Sequence, residues 1–215
     1  MKVTRLHLIR HGLTQGNIDG IYMGNKIDLP LCAEGKAQLE ELKSLFTYPN
    51  VQTVFSSPLV RAVESAEVLF PGAEHKIVLP DLRENDFGEF SGRKIKELVH
   101  DENFKHWMDP TSGYTPKGGE NGPEFHLRCA TTLLKMFEYM MQANITEAAC
   151  VTHGGVIMSM MAQCAVPQRP ADMWLADNGC GYTLLCTPQM LMRDRVVEAS
   201  AVVPTGYFKD EPDAE

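Results

Sequence analysis

The sequence lacks the features that would place it in a membrane, on nucleic acid or in an oxidising compartment. No apolar run approaches the roughly 18 residues that span a bilayer, and no signal-peptide core or cleavage site follows the N-terminus. Basic residues are in deficit, 20 against 28 acidic residues, so neither a nucleic-acid nor a membrane partner is expected. The six cysteines form no C-x-x-C pair, which favours free thiols in a reducing cytoplasm over zinc or disulfide sites.

Several catalytic signatures are also missing. The chain has no G-x-S-x-G elbow, Walker A loop, H-E-x-x-H helix or Rossmann glycine pattern, and no cysteine is followed six residues later by arginine. It has no internal repeat. What is present is 215 residues with 44% hydrophobic and 22% charged content, enough for one domain without metal or disulfide support. Residues 1–203 are predicted to form that domain, and residues 204–215 an acidic, disordered tail.

Apolar β-compatible runs alternate with helical patterns along the chain. This order predicts a three-layer α/β/α fold around a mostly parallel sheet of about six strands. The predicted strands are Val3–Arg10, Val51–Ser56, Lys76–Leu79, Glu147–Thr152, Tyr182–Thr187 and Arg193–Ser200. The main predicted helices are Ala33–Leu45, Leu59–Phe70, Glu124–Asn144 and Val156–Ala165, with Ser57-Pro58 read as a helix cap and two short helices within Lys94–Met108.

Polar residues follow three of these strands. His11, Arg61 and His153 come where a strand ends, and ligands of parallel sheets collect at that edge. With Arg10 they would form an anion cradle, because guanidinium groups suit the roughly −2 charge of a phosphoryl group. A neutral imidazole can act as a nucleophile, and a glutamic acid beside a phosphate can donate a proton to the leaving group.

Four ordered motifs resemble those of one family. Arg10-His11-Gly12-Leu13-Thr14-x-x-Asn17 resembles the R-H-G-x-T-x-x-N signature of the histidine phosphatase superfamily, in its phosphoglycerate mutase-like branch. Similar matches to its later motifs are Ser56–Ala62, Leu82–Gly92 and Thr152–Gly155, and a further pattern is Gly118-Gly119-Glu120 with Arg128. The resemblance extends over about residues 5 to 187 and implies a phosphoglycerate mutase-like fold.

The resemblance implies a phosphatase that acts on a small phosphomonoester without a metal or cofactor. His11 would be the nucleophile that becomes phosphohistidine, and Glu84 would be the proton donor. The residues implied to hold the phosphoryl group are Arg10, Thr14, Asn17, Arg61, His153 and Gly154.

The substrate is less closely defined by the resemblance. Leu13 and Ser91 stand where many members have glutamate, and we expect them to lie near the region that selects substrates, together with the loop up to Pro30 and the segment Asp109–Pro123. Asp19–Gly24, Leu29–Leu31 and Met173–Cys180 are similar to α-ribazole phosphatases. α-Ribazole phosphate is therefore one candidate substrate.

Alternatives stay open at this point. The chain could be a phosphoglycerate mutase, a non-catalytic phospholigand-binding relative, or a zinc hydrolase that uses His11, His153 and Glu84. The acid could be Asp86 or Glu89 instead of Glu84. Arg61 could form a helix-surface salt bridge with Glu64 or Glu67. The oligomeric state is open, a homodimer included.

Overall fold

A single β-sheet forms the centre of the fold. The computed structural model describes residues 2–109 and 111–207, and within them seven strands pair in the order β3-β2-β4-β1-β6-β7-β5. The strands are β1 Thr4–Arg10, β2 Thr53–Ser56, β3 His75–Val78, β4 Glu147–Thr152, β5 Ala165–Val166, β6 Gly181–Cys186 and β7 Val197–Val203. β3, β2, β4 and β1 are mutually parallel, whereas β6 runs antiparallel to both β1 and β7.

Helices cover both faces of this sheet. They are α1 Gln15–Ile18, α2 Ala33–Leu45, α3 Val60–Leu69, α4 Ile95–Leu98, α5 Glu102–Met108, α6 Gly122–Gln142 and α7 Gly154–Cys164. Leu6 and Leu8 of β1 pack in one core with apolar residues of α6 and α7, and Ile9 packs in the other with residues of α2 and α3. Alternate side chains of a strand point to opposite faces, so the buried stretch Leu6–Ile9 of β1 is covered on both sides.

The register of the parallel strands decides where the functional side chains meet. Arg10 at the end of β1 lies opposite Thr152 at the end of β4, and Ser56 at the end of β2 lies opposite Val151. The carboxyl ends of β2, β4 and β1 therefore coincide at the centre of the sheet. Residues that directly follow these strands must lie side by side.

The predicted α/β fold is confirmed, and apart from shifts of one to three residues in element bounds, four details differ from the prediction. The sheet has a seventh strand, β5, whose two residues are too few to show a period. The last strand begins at Val197 instead of Arg193, because Met190–Asp194 forms a π-helical turn and Arg195 has φ 54°. The predicted loop Gly12–Pro30 contains α1, capped by Thr14. Helix α3 begins after Leu59, so Ser57 does not cap it.

The chain stays packed a little beyond Val203. Thr205 bridges to Thr47, and the Tyr207 hydroxyl donates to Asp177 over 2.8 Å. The rest of the predicted tail, residues 208–215, lies outside the described residues, and the division into domain and tail stays a prediction. All six cysteines are free. Within the described chain, no helix combines the length and the apolar character that crossing a membrane requires.

Candidate active site

Two histidines meet at the ends of the central strands. His11 follows β1 directly, and its backbone N–H donates to Thr152 O over 2.9 Å. His153 follows β4 and is the N-cap residue of α7. The ring centroids of His11 and His153 are 5.2 Å apart, with the rings inclined at 60°. Parallel pairing of β1 with β4 thus brings together two residues that are 142 positions apart in sequence.

The His11 ring has a defined proton position. Its Nδ1 lies 2.7 Å from the carbonyl oxygen of Gly12, and a carbonyl only accepts hydrogen bonds, so Nδ1 must carry the proton. The Nε2 atom then keeps its lone pair in the neutral ring. Arg61 Nε donates to this Nε2 over 3.3 Å, which places a cation beside the atom that would attack phosphorus.

Arg61 is buried rather than on the surface of α3. Only 1% of it is exposed, and it donates from Nη1 to Ile27 O over 2.8 Å and from Nη2 to Gly24 O over 3.4 Å. Glu64, its suggested surface partner, accepts instead from the backbone N–H of Leu31. The surface salt-bridge interpretation of Arg61 is therefore wrong.

Arg10 supplies the second guanidinium group. Its Nη1 donates to Ala176 O over 2.8 Å, and its buried Nε has no hydrogen-bond partner in the described part of the chain. Gly154 lies against this group, because a β-carbon there would be 3.5 Å from Arg10 Nε. Arg10 therefore keeps donor capacity for an anion at the start of α7, where the helix dipole also favours negative charge.

Glu84 points its carboxylate at the same helix terminus. Its Oε2 accepts the N–H of Gly155 over 3.1 Å, and its Oε1 accepts the N–H of Asn85 over 2.8 Å. A β-carbon on residue 155 would lie 2.6 Å from Oε1, so only glycine allows this approach. The neighbouring acids are engaged elsewhere, since Asp86 pairs with Lys26 and Glu89 accepts from the Tyr114 hydroxyl. Of the three carboxylates, Glu84 alone lines the cavity among the described residues.

A second ion pair fixes the backbone that leads to Glu84. Arg128 donates from Nε and Nη2 to the Glu120 carboxylate over 2.8 and 2.6 Å. Its Nη1 donates to Asp81 O and Arg83 O over 2.7 and 3.0 Å. In the sequence, Glu120 and Arg128 stand out only as part of a pattern similar to one of the family. The structure adds that this pair holds the residue immediately before Glu84.

Asn17 and Thr14, both predicted to bind phosphate, take different positions in the site. Thr14 is fully buried and donates from Oγ1 to Asn17 Oδ1 over 3.0 Å, while the Asn17 N–H donates back to Thr14 Oγ1 over 3.3 Å. Asn17 lines the cavity, and Thr14 does not. Thr14 therefore orients Asn17 through these hydrogen bonds, and its predicted contact with phosphate stays a prediction.

Burial and the two guanidinium groups set the protonation of the titratable groups. Burial lowers the pKa of His11 well below its usual 6.5, and the charges of Arg61 and Arg10 lower it further. The pKa of His153 is lowered by the same causes, burial first. Burial raises the pKa of Glu84, against the opposing effects of the Asn85 N–H, Arg61 and the Gly155 N–H. Both histidines are therefore neutral near pH 7, and the protonated form of Glu84 is favoured relative to a free carboxyl group.

These groups open into a cavity of about 200 Å³ with one charged end and one apolar wall. The polar lining comprises Arg10, His11, Asn17, Arg61 and Glu84, with backbone from Gly154 and Gly155. The apolar lining comprises Ile21, Tyr22, Met23, Phe87, Ile95, Met158 and Leu175. A larger groove of about 470 Å³ lies between β3 and α6, but it lacks this set of groups.

Sequence reasoning located part of the apolar wall. The loop up to Pro30 supplies Ile21, Tyr22 and Met23, whereas Leu13 and Ser91 do not line the cavity. The described residues of the segment Asp109–Pro123 also stay outside the lining, and the Tyr114 hydroxyl donates to Glu89 over 2.8 Å. Ile95, Met158 and Leu175 were missed, because isolated apolar residues on three separate elements carry no shared sequence signal.

The structure does not support the alternative of a zinc site at His11, His153 and Glu84. Among the residues that the structure describes, no group of three His, Cys, Asp or Glu side chains is arranged to hold a metal ion. The Nδ1 of His11 is committed to Gly12 O, and the Nε2 of His153 lies 2.7 Å from Ser57 Oγ. A metal ion shared by the two rings would have to bind the other nitrogens, and the Nε2 of His11 already accepts a hydrogen bond from Arg61 Nε over 3.3 Å.

Comparison with known proteins gives consistent results. The sequence model of the family described as "Histidine phosphatase superfamily (branch 1)" matches residues 6–191. The adenosylcobalamin/α-ribazole phosphatase of Escherichia coli (strain K12) is 30% identical over 204 residues, which cover 92% of this chain and 97% of that protein.

Solved structures show the same fold. The α-ribazole phosphatase of Shigella flexneri superposes with a TM-score of 0.73 at 26% identity, over 93% of this chain and 96% of the other. A phosphoglycerate mutase from Bacillus anthracis str. Sterne superposes with a TM-score of 0.71 at 19% identity, over 93% and 92% of the two chains. At that identity the second likeness concerns the fold alone.

The lowered pKa of His11 predicts a pH dependence of stability. In the unfolded chain His11 binds a proton as the pH is lowered below about 6.5, whereas in the folded protein it stays neutral. The free energy of unfolding therefore decreases as the pH is lowered through that range. His11→Gln removes this contribution. We expect its free energy of unfolding to fall less steeply between about pH 6.5 and 5, by up to about 1.4 kcal/mol per pH unit. Denaturant titrations in phosphate-free buffer measure both slopes. Equal slopes for the two proteins would contradict the burial of a neutral His11.

Proposed function

The chain belongs to the histidine phosphatase superfamily, branch 1, and from this we propose that it hydrolyses small phosphomonoesters through a phosphohistidine at His11. It is a phosphatase of small phosphorylated substrates, as its relatives are. The observation that carries the proposal is the neutral His11 ring, whose Nδ1 is committed to Gly12 O while its Nε2 faces Arg61.

The first half of the reaction forms the phosphoenzyme. The phosphoryl oxygens bind Arg10, Arg61 and the start of α7, where cations and backbone N–H groups offset their charge. The Nε2 lone pair of His11 attacks phosphorus, so that the P–N bond forms as the ester P–O bond breaks. The leaving alkoxide takes the proton of the Glu84 carboxyl group, whose raised pKa favours the protonated form.

The second half releases phosphate. Glu84, now a carboxylate, accepts a proton from a water molecule whose oxygen attacks phosphorus. The P–N bond breaks, and His11 recovers its Nε2 lone pair while Glu84 recovers its proton. Arg10 and Arg61 stabilise the charge of the phosphoryl group in both steps, so the same cavity serves each half of the cycle.

The mutase alternative is less well supported by the lining of the cavity. A phosphoglycerate carries a carboxylate in addition to its phosphate. Among the described residues that line the cavity, only Arg10 and Arg61 carry a permanent positive charge, and both lie at the phosphoryl end. The opposite wall is apolar, which favours a leaving group without a second charge.

The apolar wall also favours a leaving group that carries an aromatic ring. Tyr22 stacks on Phe87 with ring centroids 4.1 Å apart, and both line the cavity beside Ile95, Met158 and Leu175. Such a surface is suited to a flat heterocycle. Because α-ribazole phosphatases are among the relatives of this chain, we propose α-ribazole phosphate as the first substrate to test.

Replacing His11 tests the nucleophile. His11→Ala removes the atom that forms the P–N bond, and we expect turnover of an aryl phosphate to fall by at least about a thousandfold. Acid-labile phosphate that accumulates on the wild-type protein in a rapid-quench experiment should be absent from the variant. Retained turnover in His11→Ala would refute the assignment. Loss of wild-type activity in EDTA, with recovery on adding zinc, would favour the metal hydrolase instead.

Replacing Glu84 tests the acid. Glu84→Gln keeps the side-chain volume but cannot give up a proton, so the effect should depend on how much the leaving group needs one. We expect kcat/KM for alkyl phosphates to fall by about 10²–10⁴-fold and that for aryl phosphates with good leaving groups to fall much less. Asp86→Asn is the matched control, since Asp86 pairs with Lys26 outside the cavity lining. Equal losses for both substrate types would argue against Glu84 as the acid.

Tyr22 allows a test of the leaving-group preference. We expect α-ribazole phosphate to be hydrolysed with a higher kcat/KM than 3-phosphoglycerate, because only the former lacks a second anionic group. Tyr22→Ala should lower kcat/KM for α-ribazole phosphate by about tenfold, equivalent to about 1.4 kcal/mol of lost contact, and should leave that for methyl phosphate nearly unchanged. A preference for 3-phosphoglycerate in the wild-type protein would contradict the proposed substrate class.

A further inference from the structure

Ser57 makes a contact that neither its sequence position nor the proposed mechanism explains. It follows β2 and is fully buried, and its Oγ lies 2.7 Å from Nε2 of His153. Its backbone N–H donates to Val151 O over 3.0 Å, which fixes it between β2 and β4. Since Ser57 does not cap α3, its hydroxyl group can contact His153.

The direction of this hydrogen bond follows from counting donors and acceptors. Ser57 Oγ already accepts the backbone N–H of Leu59 over 3.3 Å. If it also accepted from His153, its own O–H proton would be left without an acceptor in a fully buried position, which is unfavourable. Ser57 must therefore donate to Nε2, and the proton of the neutral His153 ring must lie on Nδ1.

The Nδ1 atom of His153 is available for a hydrogen bond to a ligand. It is buried and has no hydrogen-bond partner in the described part of the chain, although buried donors are nearly always paired. The ring that carries it lies next to the His11 ring, at 5.2 Å between centroids. The His153 ring is fully buried and is not itself part of the cavity lining, but the next residue, Gly154, is. A phosphoryl oxygen bound at the start of α7 would therefore come close to this ring.

We propose that Ser57 is a positioning residue that holds His153 as the neutral Nδ1–H tautomer, so that this N–H donates to a phosphoryl oxygen. This inference rests on the proposed function and extends it to a residue that does not touch substrate. It explains how a third donor can join Arg10 and Arg61 without adding a third positive charge to a buried site. A histidine that donates while neutral avoids repulsion from the two guanidinium groups.

The tautomer can be read directly by ¹⁵N-detected NMR of the histidine rings. We expect the His153 ring, assigned by its loss in His153→Asn, to be the Nδ1–H tautomer in the wild-type protein at pH 7. Adding inorganic phosphate should shift its Nδ1 resonance. In Ser57→Ala, where Nε2 loses its donor, the ring should move towards the Nε2–H tautomer. A wild-type ring that is the Nε2–H tautomer or an imidazolium would overturn the proposal, even if Ser57→Ala failed to fold.

Kinetics with a matched pair of serines complete the test. Ser57→Ala should lower kcat/KM for an aryl phosphate by about tenfold or more, and Ser57→Thr, which keeps the hydroxyl group, should restore both the tautomer and the rate. The control is Ser159→Ala, which removes another buried hydroxyl that contacts a histidine, His126, over 2.9 Å outside the cavity lining. It should change neither readout.

The outcomes separate this inference from the proposed function. A fall in rate in Ser57→Ala without a change of tautomer would mean a merely structural role and would overturn the inference. An unchanged tautomer with an unchanged rate would do the same. A protein that shows the expected tautomer and phosphate shift but no turnover would contradict the proposed function and leave the role of Ser57 in place.

Discussion

Two guanidinium groups, that of Arg61 fully buried and that of Arg10 partly buried, set the charge of the site. Arg61 is 1% exposed, and burial lowers the pKa of both Arg10 and Arg61, yet arginine stays charged in proteins. The described residues that line the cavity include one carboxylate, Glu84. The site is therefore short of negative charge until an anion enters. Burial, and after it the charges of the two arginines, keep both histidines neutral. A neutral His11 is the form that can attack phosphorus, so the charges that bind the anion also help to keep the nucleophile in its reactive form.

Sequence reasoning worked best where parallel strands fix the outcome. His11, Arg61 and His153 could be placed together because each follows a strand of one sheet, and strand ends of parallel neighbours coincide. Glu84 could not be separated from Asp86 and Glu89 in this way. The three acids lie within six residues, and only the backbone path after Leu82, held by Arg128, decides which one turns inward.

The role of Ser57 and the composition of the apolar wall could not be predicted either, because both depend on contacts between residues far apart in sequence. Ser57 precedes a proline and a helical pattern, so a cap was the natural interpretation, but its partner is 96 residues away. Leu175 and Met158 enter the cavity wall from a 3₁₀-helix boundary and from α7, and neither position differs in sequence from ordinary core. Tertiary contacts decide such roles, and local pattern does not encode them. Recognition of the phosphoryl group is thus readable from motifs, whereas the apolar wall is assembled from dispersed positions.

The hydrogen bonds of Arg61 to the carbonyl groups of Gly24 and Ile27 have a consequence for how this protein can change its specificity. The loop that presents Ile21, Tyr22 and Met23 to the leaving group is the same loop whose backbone holds the phosphate-binding cation. Insertions or deletions in that loop would displace Arg61 and weaken the chemistry for every substrate. Exchange of side chains leaves the carbonyl positions intact. Point substitutions in this loop can therefore change the wall that meets the leaving group while the backbone support of Arg61 stays in place.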